Sequence, residues 1–130
     1  MQKLMRPARG KRILVIEDDA NVRTLVLHVL LTAGYAVDAV GSVAEALVLF
    51  DRHQYHLVLA DDRLPDGRGI DLADDAHKRG IDAVVVTGFA LSLAKEELGR
   101  HDLLIKPVSP SELVGAVERH IGGVAQAEQS

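Results

Sequence analysis

Apolar residues in this chain fall into two alternating arrangements: short continuous runs rich in β-branched side chains, and longer stretches where they recur every three or four positions. Ile13-Leu14-Val15-Ile16 is the first run. Val22, Leu25, Val26, Val29 and Leu30 follow with the spacing of a helix that has one apolar face, stopping at Gly34. Tyr35 to Val40 reads as a second strand, and Ser42 caps a helix to about Arg52, with Glu45 completing a capping box. His56 to Asp61 forms a third strand, followed by a loop holding Pro65, Gly67 and Gly69 and by a helix from Ile70 to Arg79 that Gly80 stops. Ala83 to Thr87 is a fourth strand. The fourth helix, Ala90 to Leu98, has room for only about two turns before Gly99. Leu103 to Ile105 is a short fifth strand, and Ser109 or Ser111 opens a final helix ending near Gly122.

Strands alternating with helices imply an α/β fold, a five-stranded parallel sheet with helices on both faces, joined by right-handed crossovers. In such a sheet the carboxyl ends of strands 1, 3, 4 and 5 share one edge, where open α/β sheets bind their ligands. Glu17 and Asp18, Asp61 and Asp62, Thr87, and Lys106 stand at those ends. Clustered acids repel one another unless a cation neutralises them, and oxygen donors without His or Cys favour a hard ion such as Mg²⁺. Lys106 adds a positive charge and Thr87 a hydroxyl. Phosphoryl transfer needs such parts, namely neutralisation, positioning and an in-line nucleophile, and an aspartate becomes that nucleophile by forming an acyl phosphate. The apolar run alone places either Asp61 or Asp62 in the crevice. Asp19 reads better as a helix N-cap than as a third metal ligand.

The 130 residues, 48% of them hydrophobic, suffice for one domain with its own core. They divide into a basic leader (1–10), a folded domain (11–122) and a flexible tail (123–130), and Met1 with the small polar tail favours a complete chain. Residues 1–12 hold five basic residues and no acid, which leaves a net charge of −9 for positions 13–130. A domain that acidic is a poor nucleic-acid binder, and the basic arm reads as a solvated leader. The chain has no cysteine, which excludes disulfides and thiolate metal sites. No apolar stretch approaches the roughly 20 residues of a membrane span, and none resembles a signal peptide, so a soluble cytoplasmic protein is expected. The six histidines share no ligand spacing and read as surface residues; Asp74-Asp75 reads as a solvated face.

Glu17-Asp18 after strand 1, Asp61 with Pro65 and Gly69, Thr87-Gly88, and Lys106-Pro107 occur in an order and spacing that resemble the receiver domain of two-component response regulators. The resemblance spans nearly all of residues 11–122. It implies a flavodoxin-like receiver fold with strand order 2-1-3-4-5, in a single-domain response regulator of a phosphorelay. It also implies that Asp61 is the phosphoacceptor, selected over an exposed Asp62 by the four-residue step to Pro65. Mg²⁺ would be held by Asp18, Asp61 and the backbone carbonyl of Arg63, with Glu17 acting through water. Lys106 would pair with the phosphoryl oxygens, Thr87 would hydrogen-bond the phosphate, and Gly88 would keep the approach open. The Lys106-Pro107 step admits a cis peptide. The implied partners are a sensor histidine kinase or histidine phosphotransfer protein and a downstream protein target, without direct nucleic-acid contact or membrane insertion. The domain would be no enzyme beyond catalysing its own phosphorylation and dephosphorylation.

Two departures bear on the readout. Leu103 stands three positions before the lysine, where the family usually has Tyr or Phe, so the Thr-aromatic relay is not expected here. Only 19 positions separate Thr87 from Lys106, which makes the fourth helix short and the segment Phe89 to Gly99 the candidate mobile element. Phe89 is also expected to screen the phosphoryl group from water. A Mg²⁺-dependent phosphohydrolase with an aspartyl nucleophile and a pseudo-receiver interaction module are the alternatives. The hydrolase generally needs an acid two positions after the nucleophile, where this chain has Arg63.

Overall fold

All five strands read from the apolar runs form, and all pair in parallel. The computed structural model describes residues 11–88 and 99–122. Along the chain lie β1 (Arg12–Ile16), α1 (Ala20–Thr32), β2 (Ala36–Val40), α2 (Val43–Arg52), β3 (Leu57–Asp61), α3 (Gly69–Lys78), β4 (Asp82–Thr87), β5 (Asp102–Ile105) and α4 (Pro110–Ile121). The sheet order is β2-β1-β3-β4-β5, the order expected. The leader, the tail and the predicted helix Ala90 to Leu98 lie outside the described residues.

Strand periodicity divides the core in two. Ile13 and Val15 of β1, Leu57 and Leu59 of β3 and Val84 of β4 face one side, covered by Leu30 of α1 and by Leu113 and Val117 of α4. Leu14, Ile16, Val58, Ala60 and Val85 face the other, under Ala46 and Phe50 of α2 and Ile70, Ala73 and Ala76 of α3. Each fully buried Val, Leu or Ile contributes about 1.5–3 kcal/mol relative to exposure. The central strands, apolar on both faces, therefore supply much of the stability and leave polar residues only at their ends. Tyr35 ties the two halves of the chain together by donating its hydroxyl hydrogen bond to the Gly122 carbonyl (2.8 Å).

Helix termini largely follow the sequence. Asp19 caps α1, its side chain accepting from the Asn21 and Val22 amides (2.9 and 3.0 Å). In α4, Ser109 and Glu112 form a full reciprocal box. In α2 the box is only partial: the Ser42 hydroxyl accepts from the Glu45 amide, but the Glu45 carboxylate takes the Gly41 amide and the Ser42 hydroxyl instead of the Ser42 amide.

Four expectations change. The apolar face of α1 is only half covered: Leu30 is buried, whereas Val22 and Leu25 are 37% and 58% exposed. The first turns of α1 border a cavity of about 450 Å³ lined by Val15, Val26, Leu59 and Leu113, so helical spacing marked the face correctly but not what would cover it. The loop after β3 contains a two-residue antiparallel ladder, Arg63–Leu64 with Gly67–Arg68. Asp74 is not simply solvated, because Arg100 and His101, brought alongside α3 just before β5, both bond its carboxylate. His101 and His120 are not free surface residues either. The His101 side chain is 8% exposed, and His120 sits between Asp82 and Asp102 (3.4 and 2.8 Å).

Gly69 is required by a close approach: a Cβ there would lie 2.2 Å from the Asp61 carbonyl oxygen. Gly69→Ala should therefore cost about 3 kcal/mol, the upper end for overpacking, read as a lower urea midpoint at unchanged slope. The Ser109 amide holds the Glu112 carboxyl below the usual range, with help from the Ser109 hydroxyl. A depressed folded value means stability present above the unfolded value of about 4.3 and lost as pH falls. Glu112→Gln should accordingly lower the thermal midpoint at pH 7, and the difference from wild type should shrink as the pH is taken well below 4.3.

Candidate functional site

Parallel register delivers the polar residues to one edge. Ile16 of β1 lies beside Ala60 of β3, so Glu17 and Asp18 emerge next to Asp61, and Asp61 in turn lies beside Val86 of β4. The Lys106 amide donates to the Thr87 carbonyl (2.9 Å), which carries the β4–β5 pairing one step further and brings Lys106 to the same edge. The Lys106-Pro107 peptide is cis.

There the Lys106 ammonium lies 3.2 Å from a carboxylate oxygen of Asp61 and 3.2 Å from one of Glu17. Glu17, Asp18 and Asp61 each offer a carboxylate oxygen, all within 4.8 Å of one another. Glu17 is buried, Asp61 half-buried and Asp18 exposed, so the cluster opens outward through Asp18. Burial pushes the Glu17 carboxyl above its usual range, and the charge of Asp61 pushes the same way. The Asp19 amide and Lys106 offset part of this. For Lys106, burial favours the neutral amine, yet Asp61 and Glu17 outweigh it and the ammonium is held above its ordinary value.

One ammonium against three clustered acids leaves a deficit of positive charge. The donors are all hard oxygens, and together they fit Mg²⁺ or a similar ion. Thr87 is buried at the end of β4, and Arg63, two positions after Asp61, is exposed on the ladder. A Cβ at Gly88 would lie 3.8 Å from the Lys106 Cβ, an ordinary contact, so the described surroundings do not themselves require glycine. Phe89 lies outside the described residues.

The structure corrects the expectation for Asp62. It is 1% exposed rather than solvent-facing, and the Arg68 guanidinium donates to both of its carboxylate oxygens (3.3 and 3.2 Å). Its amide still reaches the Val86 carbonyl (2.9 Å), so the backbone stays on the sheet while the side chain turns under the ladder. Asp61 and Asp62 are thus separated: the first meets Lys106, the second Arg68.

Three supporting residues are not marked by any motif in the amino-acid sequence. Arg23 donates to the carbonyls of Glu17 (2.9 Å) and Asp18 (3.5 Å), holding the acidic turn after β1. Arg68 neutralises Asp62. Asp66, in the turn of the ladder, accepts from the Val43 and Ala44 amides at the start of α2 (2.8 and 2.9 Å). The only sequence signal for Arg23 was a cation following an acidic run; Arg68 and Asp66 had none, because their partners depend on how the hairpin folds back.

The family profile described as response regulator receiver domain matches residues 13–118. The transcriptional regulatory protein PdtaR of Mycobacterium tuberculosis is 35% identical over 113 residues, covering 83% of this chain and 55% of PdtaR. The chain therefore spans about half the length of that relative. The polar-differentiation response regulator DivK of Brucella ovis is 28% identical over 119 residues, covering 86% of this chain and 97% of DivK. Among solved structures, a CheY-like receiver domain protein from Methanospirillum hungatei superposes with a TM-score of 0.76 at 28% identity, covering 92% of this chain and 97% of that one. The response regulator TrrA of Thermotoga maritima, solved in complex with Mg²⁺-BeF, does so at 0.76 and 27% identity, covering 84% and 97%.

Burial, and after it the charge of Asp61, disfavour the ionised form of Glu17, so that form costs stability when no divalent ion is present. With chelator at pH 7, Glu17→Gln should raise the thermal midpoint by on the order of 5 °C. Added Mg²⁺ should stabilise wild type more than the variant, narrowing the gap.

Proposed function

The chain belongs to the response regulator receiver domain family, and on that premise we propose that Asp61 accepts a phosphoryl group from a phosphohistidine in a phosphorelay. Receiver domains act in two-component signal transduction. The observation that carries the assignment to Asp61 is its 3.2 Å contact with Lys106 at an edge shared with Glu17 and Asp18. Burial against Arg68 argues against Asp62 in the role.

In this reading the Asp61 carboxylate attacks phosphorus in line. The oxygen–phosphorus bond forms as the phosphorus–nitrogen bond to the donor imidazole breaks, and the imidazole leaves with a proton on its ring. Asp18, Asp61 and the Arg63 carbonyl would hold Mg²⁺, with Glu17 supporting it through water, and the ion would supply positive charge for the phosphoryl oxygens. Lys106 moves its ammonium from Glu17 and the Asp61 carboxylate to the transferred group, which carries roughly −1.5 to −2 charges. Thr87, at the end of β4, donates its hydroxyl to the same group. The chemistry is confined to the domain's own aspartate, so the domain signals rather than turns over an external substrate.

The donor is a histidine kinase or phosphotransfer protein. A downstream protein reads the phosphorylated state, and the domain works in the cytoplasm. Among the described residues no helix is long and apolar enough to cross a membrane. Leu103 packs against the core on the α3 side, so the readout is proposed to proceed without a rotating aromatic ring.

Incubation with acetyl phosphate and Mg²⁺ followed by intact mass tests the assignment. Wild type and Asp62→Asn should each gain one phosphoryl group and Asp61→Asn none; a phosphate that survives Asp61→Asn would overturn it.

A further inference from the structure

The two-residue ladder after β3 is too small to hold its own shape, since even a full isolated hairpin is only marginally stable in water. Its root is fixed on the sheet: the Gly69 amide donates to the Asp62 carbonyl (2.9 Å), and Arg68 bonds the buried Asp62. Its tip, Pro65-Asp66, is fixed elsewhere. The Asp66 carboxylate accepts the first two amides of α2, which hydrogen bonds within the helix leave unpaired. The hairpin also approaches α2 closely, because a Cβ on Gly67 would lie 3.2 Å from a methyl of Val43.

These contacts close a ring around the acidic edge. The Glu17 amide donates to the Val40 carbonyl at the end of β2 (2.9 Å), so the acidic turn after β1 is tied to the segment leading into α2. Two residues past Val40, Ser42 caps α2, whose next two amides hold Asp66. Arg63 lies between the tip and the root of the same hairpin. A carboxylate at a helix N-terminus also meets the positive end of the helix dipole. In keeping with this, the Val43 and Ala44 amides hold the Asp66 carboxyl below its usual range.

We propose that Asp66 is a positioning residue for the divalent ion: by clamping the hairpin tip to the first turn of α2, it fixes Arg63, and with it the carbonyl offered to the ion, relative to Glu17 and Asp18. The inference rests on the reading of Asp18, Asp61 and Arg63 as ligands. It separates Asp66 from an ordinary helix cap, because the Ser42 hydroxyl caps the same helix through the Glu45 amide, within α2 itself.

Mg²⁺ titrated into the full chain, followed by backbone amide shifts, tests it alongside thermal midpoints. Asp66→Ala should weaken Mg²⁺ binding about tenfold or more, the usual effect of removing a group that supports a metal ligand. Asp66→Asn, whose amide oxygen accepts but whose nitrogen does not, should fall between Ala and wild type, and it serves alone if Asp66→Ala fails to fold. Ser42→Ala should lower the midpoint while Mg²⁺ binds as in wild type. Wild-type affinity in both Asp66 variants, or an equal loss in Ser42→Ala, would overturn the positioning role. Loss of binding in Asp18→Asn together with wild-type affinity in Asp66→Ala would overturn it while leaving the ligand reading intact. A wild-type chain that binds no Mg²⁺ would overturn both.

Discussion

One ammonium group answers for two carboxylates at the open edge of the sheet, and the remaining architecture is organised around that imbalance. Two like charges about 4 Å apart repel by about 4 kcal/mol at the dielectric response typical of a protein surface. A domain stable by only about 5–15 kcal/mol does not tolerate several such repulsions unrelieved. Lys106 relieves Asp61 and Glu17. Arg23 stiffens the turn that presents Glu17 and Asp18, and Arg68 removes Asp62 from the cluster altogether. What is left is a site short of positive charge, open on the Asp18 side, and held by groups that do not themselves enter it.

The fold makes that concentration of charge possible by keeping polarity off the strands. Because β1, β3 and β4 are apolar on both faces, their polar residues collect where the strands stop, and parallel pairing makes them stop together. The stability of the two apolar layers underwrites the strain of the edge. A site placed on the helices would have required each acid to find its own counter-ion on a solvated surface, where ion pairs contribute little.

The amino-acid sequence made the layers and the edge legible, because both follow from short-range periodicity. Runs such as Leu57 to Ala60 declare a strand, and Asp61 declares its end. The burial of Asp62 is illegible for the complementary reason: it depends on Arg68 folding back across a two-residue ladder, and neither residue belongs to any repeating pattern. Val22 and Leu25 show the same limit, since the helical period identifies an apolar face but says nothing of the cavity beneath it. The pairing of His101 is equally hidden in the sequence, because its partner Asp74 lies 27 positions earlier, on an element that meets it only in three dimensions. Pairings within about one turn of helix or strand are written locally; those made by loops returning to the sheet are not.

The bond from the Tyr35 hydroxyl to the Gly122 carbonyl joins positions 87 apart, and the Lys106–Glu17 bond spans 89. Contacts of such separation carry a loop-closure entropy that the rest of the ordered chain has to offset. A chain emerging from the ribosome presents Glu17, Asp18 and Asp61 well before Lys106 exists to meet them. The acidic edge is therefore a site only when the end of β5 has met the ends of β1 and β3, and no single stretch of the chain contains it.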